Sequence, residues 1–114
     1  MDADITVRNN SDRRRYELLD DGAVVGRAHW VPFDGGAGPE RIFHHTTVDE
    51  DRAGQGLAST LVRQALADTV RAGIRIVPVC PYVKTWLSKH PEQEGVTAVR
   101  PEHLAALPSP EPTS

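Results

Sequence analysis

Residues 57–72 constrain this chain more than any other stretch. Leu57, Leu61, Val62, Ala65, Leu66 and Val70 recur at helical spacing, and Arg63, Gln64, Asp68 and Arg71 fill the opposite face. A helix of this kind draws most of its stability from burying its apolar stripe, so a packed surface must lie beside it. Gly73 stands just past its end, where a left-handed residue closes a helix with least strain. A β-rich segment, residues 41–48, precedes it, and the compact apolar run Ile74 to Val79 follows. Strand, helix and strand of these lengths make a βαβ unit, so the two strands are expected to be parallel.

The N-terminal part reads as an antiparallel meander. Residues 4–9, 14–19 and 23–31 are expected strands, with Asn10-Ser11-Asp12 as a turn. Asp21-Gly22 marks a hairpin, because Gly tolerates the positive φ such turns require. Val24-Val25 blurs the alternation and leaves the register open. Pro32 to Glu40 holds three Gly and two Pro and reads as a surface loop. Pro81 opens a second helix, with Tyr82, Val83, Trp86 and Leu87 on one side and Pro91 as its bound. The expected fold class is α/β with a mixed sheet: antiparallel N-terminal strands leading into a C-terminal βαβ unit. One domain is expected over residues 1–93, followed by a partly disordered tail, 94–114. Within that tail, residues 101–107 read as a short helix and Pro108 to Ser114 as disordered.

At 114 residues the chain supports one modest core. With a net charge of -3 and no dense basic block, it points away from nucleic acid; Arg13-Arg14-Arg15 reads as a solvated strand start. No apolar stretch approaches the roughly 20 residues of a membrane span. Met1-Asp2-Ala3-Asp4 lacks the basic start of a signal peptide. The single cysteine, Cys80, can form no internal disulfide, so a reducing cytoplasm is the expected location.

Chemistry enters at Gly54-Gln55-Gly56-Leu57-Ala58-Ser59, between a strand and the helix. Two glycines there let a ligand approach the backbone without Cβ interference. The unpaired N–H groups of the helix's first turn carry partial positive charge and suit a phosphate or pyrophosphate. A tight turn without ligand would use the same residues. No Gly-Lys-Ser/Thr follows, so this is not a Walker loop, and it lacks the third glycine of a dinucleotide fingerprint.

Three blocks in order then resemble the small, single-domain branch of the GNAT superfamily of N-acetyltransferases. They are His45-Thr46-Thr47-Val48 on a strand, Gly54-Gln55-Gly56-Leu57-Ala58 at a helix start, and Val77-Pro78-Val79-Cys80-Pro81-Tyr82-Val83 running into Lys89-His90-Pro91. The resemblance spans roughly residues 13–91. It implies a GNAT-like fold in which acetyl-CoA lies in a splay between two central parallel strands, with the glycine-loop amides on its pyrophosphate. Two positions depart from the family's pattern. Ala53 stands where the superfamily often has Gln or Arg, leaving Arg52 as the adjacent cation. Thr47 stands where the small branch carries Glu, which removes a candidate carboxylate base.

The resemblance implies that Gly54, Gln55, Gly56, Leu57, Ala58 and Ser59 hold CoA, with Arg52 adjacent; Tyr82, like Trp86, reads either as core packing of the second helix or as a wall for the pantetheine arm. A backbone N–H near Val48 or Val79 would hold the developing oxyanion. Cys80 and His45 are the catalytic candidates. Cys80 has three readings: nucleophile, lining of the thioester site, or small core residue. His45 matches the family's strand block, and a hydrogen-bonded structural histidine is its alternative. His44 and His45 are adjacent and should face opposite sides of a strand. His29, His44, His45, His90 and His103 show no ligand spacing, so no metal is expected. The expected function is acetyl transfer from acetyl-CoA to a primary amine by direct attack. The expected partners are thus a CoA thioester and an amine acceptor, with neither nucleic acid nor membrane. An acyl-CoA-binding module without turnover is the alternative, favoured by Thr47 and the short chain.

Overall fold

The computed structural model describes residues 4–108. Five strands, β1 (Ile5–Asn10), β2 (Arg15–Asp20), β3 (Ala23–Asp34), β4 (Pro39–Val48) and β5 (Arg75–Pro78), form one sheet in sequence order. The first four pair antiparallel, and β5 pairs parallel to β4. Three helices follow the same order: α1 (Leu57–Arg71), α2 (Pro81–Ser88) and α3 (Pro101–Ala105). The mixed sheet, its meander and its βαβ unit are those read from the sequence.

Local chemistry explains the turns. Asp21 and Gly22 both take positive φ, 54° and 88°, the pairing that matches hairpin twist. Gly73, at φ 79°, closes α1. The ambiguous Val24-Val25 has a structural cause. Leu18 pairs with Gly26 and Leu19 with Val24, so Val25 is the extra residue of a β-bulge.

The segment 32–40 is not the loop its composition suggests. β3 runs on to Asp34 and β4 begins at Pro39, with Pro32 opposite Arg41 and Pro39 opposite Asp34. Only 35–38 turns. Pro32 is tolerated because β2 begins at Arg15, opposite His29. Beyond Trp30, β3 therefore has a neighbour only on the β4 side. The edge that Pro32 would have served with an N–H is already free.

Alternation assigns each strand residue to a face. Tyr16, Leu18, Ala28, Trp30, Phe43 and Ile76 point toward α1 and are buried with its Leu61, Val62, Ala65 and Leu66. Arg41 is buried on this face as well. Its guanidinium donates to Tyr16 Oη at 2.7 Å and Thr69 Oγ1 at 3.2 Å, and lies 4.2 Å from the Trp30 ring centroid. Tyr16 in turn donates to Asp68 Oδ2 at 2.6 Å. Burial, then the Asp68 bond, pushes the Tyr16 hydroxyl up to about 12, so it remains a donor.

The second face is polar at its centre. Buried Glu17 accepts from Arg15, Arg8 and Asn10. Burial pushes its carboxyl up, and these donors outweigh that and hold it below the usual range. The C-terminal segment covers one side. Gly95 O accepts from Ile76 N, and Ile76 O accepts from Thr97 N, extending the sheet past β5. His103 is fully buried, with Nε2 2.6 Å from Glu40 Oε1. Its Nδ1 accepts from Arg100 N at 2.9 Å, so Nε2 carries the proton and donates to Glu40. The expected disorder of Pro108 to Ser114 falls almost wholly outside the described residues.

Candidate active site

β4 and β5 pair only from Glu40–Arg75 to Phe43–Pro78. β4 then continues to Val48 with β3 as its one strand neighbour, while the chain beyond β5 turns into α2. The parting is pinned at one atom: Phe43 O accepts from Val79 N at 3.0 Å and from Cys80 N at 2.8 Å. Val79 N–H is therefore engaged, and of the two oxyanion donors expected from the sequence only Val48 is left.

The ladder shows where Val48 points. Trp30 N donates to Arg14 O, on the β2 side, and Asp49 N donates to Val25 O, on the β3 side. By alternation, His45 and Thr47 exchange bonds with β3, and Thr46 and Val48 turn their N–H and C=O toward the gap. The β4 edge in the splay thus offers unpaired backbone groups.

Beside that edge lies a depression of about 290 Å³. Val48, Arg52, Ala53, Gly54, Gly56, Leu57, Ala58, Ser59 and Tyr82 line it. Of the residues assigned to the cofactor from the sequence, all but Gln55 are brought together here. Gly54 and Gly56 have φ of 84° and 74°, and a Cβ on either would meet nothing within 4 Å. Gly56 is the N-cap of α1, and no side chain caps this helix start. The first-turn N–H groups are left for a ligand. Arg52 is beside the loop and ion-pairs with Asp20. Ser59 Oγ accepts from Trp86 Nε1 at 3.0 Å, which ties α1 to α2.

Cys80 is the buried N-cap residue of α2. Its Sγ lies 3.4 Å from Thr46 Oγ1, the next residue along β4 from His45. Thr46, not His45, is thus its hydrogen-bond partner. Thr46 stands in the strand block quoted from the sequence, but nothing there marked which of its residues would meet the thiol. Alternation does: Thr46 pairs with Ala28 and shares its α1-side face, whereas His45 pairs with His29 on the other.

The expectation that His44 and His45 face opposite sides fails. His29 pairs with His45 and Trp30 with Phe43, so His44 is the extra residue of a second bulge. Both imidazoles then approach His29, with ring centroids 6.1 and 5.9 Å away. Burial, and after it the neighbouring histidines, hold His29 below its usual 6.5, with Arg15 and Arg27 adding to this. Burial and then His45 do the same for His44. Both are therefore neutral near pH 7. Among the described residues no group of three or more His, Cys, Asp or Glu is placed to hold a metal ion, and no helix is long and apolar enough to cross a membrane.

The depressed histidines predict a pH dependence. Below 6.5 the unfolded chain takes up these protons before the folded one does. Their stabilisation is fully present above that value and is lost as the pH falls toward the folded-state values. Denaturant midpoints between about pH 7.5 and about pH 5 should fall less for His29→Gln/His44→Gln than for the parent. Parallel profiles would contradict this.

Comparison with known proteins now bears on the arrangement. The model of the GCN5-related N-acetyl-transferase family matches residues 15–96. Among solved structures, the ribosomal-protein-alanine N-acetyltransferase from Brucella melitensis biovar Abortus 2308 is similar, with a TM-score of 0.52 and 24% identity. The match covers 75% of this chain and 64% of that one. A mutant AtaT toxin bound to the C-terminus of the antitoxin AtaR gives a TM-score of 0.46 and 21% identity, over 72% of this chain and 58% of that one. The chain spans less than two thirds of either neighbour, and the likeness to the first, at 24% identity, bears on the fold alone. No curated protein matches it in sequence. The family match takes in β2 to β5, the splay, the glycine loop and α2 without a break. On that span, the chain belongs to the GCN5-related N-acetyltransferase family.

Proposed function

We propose that this protein transfers the acetyl group of acetyl-CoA to a primary amine, by direct attack while both substrates are bound. The observation that carries this is the convergence of three features on one depression: the Gly54–Gly56 loop, the uncapped start of α1 and the open edge of β4. The residues fit a CoA thioester. The amides of Gly56, Leu57, Ala58 and Ser59 would face the pyrophosphate, helped by the α1 dipole and the charge of Arg52. Gln55 is the middle residue of the same loop. Tyr82, 37% exposed on the opposite wall, would flank the pantetheine arm.

The thioester supplies an activated acyl carbon with a good leaving group. The chain's part is to bind, orient and stabilise charge. Val48 N–H, directed into the splay, would hold the carbonyl oxygen as it becomes an oxyanion. In the reaction the amine nitrogen bonds to the acyl carbon, the C–S bond breaks, and the sulfur leaves as CoA. The amine's proton passes to His45 or to water. Cys80, held by Thr46, lines the thioester site in this reading rather than carrying the acetyl group.

Thr47 sustains a second reading, a CoA-binding module without turnover. It places no carboxylate on β4 where the family's small branch has one. Two measurements separate the possibilities. CoA release in the presence of an amine panel is expected for a transferase and absent for a binder. Intact-mass spectra after acetyl-CoA alone, quenched in acid, should give no acetyl adduct, and Cys80→Ala should still release CoA. A stoichiometric adduct on Cys80 that passes to amine would overturn direct attack in favour of a ping-pong route.

A further inference from the structure

On the sheet face away from α1 lies a second recess, of about 320 Å³. Arg13, Arg14, His29 and His44 supply its polar lining, and Ala106 and Pro108 of the C-terminal segment close one side. Among the described residues no carboxylate lines it. Arg8, Arg15, Arg27, Arg52, Arg71 and Arg100 each have an acidic partner. Arg13 and Arg14 have no ion pair among the described residues.

Arg14 is also held in an unfavourable conformation. Its φ is 53°, in the left-handed region that a side chain of its kind rarely adopts. The turn bonds Arg13 N to Asn10 O and Arg14 N to Ser11 O maintain it, together with Trp30 N donating to Arg14 O. The bulge at His44 brings a second imbalance: it turns an imidazole toward His29 instead of continuing the ladder. Two local departures from regular structure therefore meet at one recess.

The recess reaches β4 at His44, the residue after the point where β4 and β5 part. His44 follows Phe43, whose carbonyl anchors Val79 and Cys80 where β4 and β5 part. The glycine-loop depression lies beside the splay on the α1 side, and this recess on the other. Substrates entering from the two faces would meet in the gap.

The geometry points to this recess as the acceptor site, and to an acceptor that carries an anionic group beside its amine, bound by Arg13 and Arg14. This rests on the transferase reading above. The guanidiniums favour the anion and disfavour an ammonium, so a bound amine is driven toward the neutral form that attacks. Neutral imidazoles at His29 and His44 offer N–H groups to the anion and a lone pair to the amine without adding like charge.

Matched acceptors test it: β-alanine against β-alaninamide, and phosphoethanolamine against ethanolamine. The first pair reads a carboxylate and the second a phosphate. The value of kcat/KM, corrected for the neutral amine fraction, should favour at least one anionic member by about tenfold or more over its uncharged partner. Arg14→Gly suits the left-handed backbone, so the turn should persist, and the preference should collapse toward one. Arg63→Ala, on α1 and away from the recess, should keep the parent's preference. Equal rates on charged and uncharged members, or a preference unaltered by Arg14→Gly, would overturn the inference while leaving the transferase reading intact. No CoA release with any of the four amines would overturn the inference, and no release with the wider amine panel would overturn the transferase reading as well.

Discussion

Gly56→Glu is expected to weaken acetyl-CoA binding at least tenfold, about 1.4 kcal/mol, in a protein that remains folded. Gly56 lines the depression and caps α1, and a side chain there meets open space rather than protein. The new carboxylate would oppose the pyrophosphate at a helix start whose N–H groups have no side-chain cap. Its φ of 74° adds backbone strain of roughly 1–3 kcal/mol for any L residue. Gly56→Ala carries the same strain without the charge and serves as the control. Both variants should melt below the parent by similar amounts. In calorimetric titration the Glu variant should bind more weakly than the Ala variant. Equal affinity for parent and Glu variant would remove the glycine loop from the CoA site.

Phe43→Ala is expected to cost about 3–5 kcal/mol of stability. Phe43 is 1% exposed, its ring centroid lies 6.1 Å from that of Tyr16, and it belongs to the cluster beneath α1. Truncation leaves a cavity that Leu61, Ile76 and Trp30 cannot readily fill, because each is held by the sheet or by α1. A loss of this size takes a large share of the roughly 5–15 kcal/mol typical of a domain. It should lower the melting temperature by about 10 °C or more. The same residue's carbonyl fixes the parting of β4 and β5, so packing and site geometry share one position. A loss under about 1 kcal/mol in chemical denaturation would contradict this account of the core.

The sequence was most legible where one local rule acted alone. The apolar period over 57–70 and Gly73 located α1 to within a residue of its end, and Asp21-Gly22 located the hairpin. It was misleading where a rule depends on neighbours that are distant in sequence. Pro32 and Pro39 spell a loop by composition, yet each is paired in a ladder, because β2 stops short of that end of β3. The bulges at Val25 and His44 follow from pairing register, which no single strand contains. They decide which side chains share a face, and so the grouping of His29, His44 and His45 was hidden. For the candidate site, the backbone part was readable from the resemblance, because glycines and a helix start act through main-chain groups. The partner of Cys80 was not, because Thr46 reaches it across the splay from a strand 34 residues earlier.

Native mass spectrometry of freshly purified protein, with and without added acetyl-CoA, tests the central claim most directly. A one-to-one CoA complex is expected for the parent, lost or strongly reduced in Gly56→Glu. A parent protein that forms no such complex at about millimolar acetyl-CoA, well above the affinities on which transfer would depend, would contradict it.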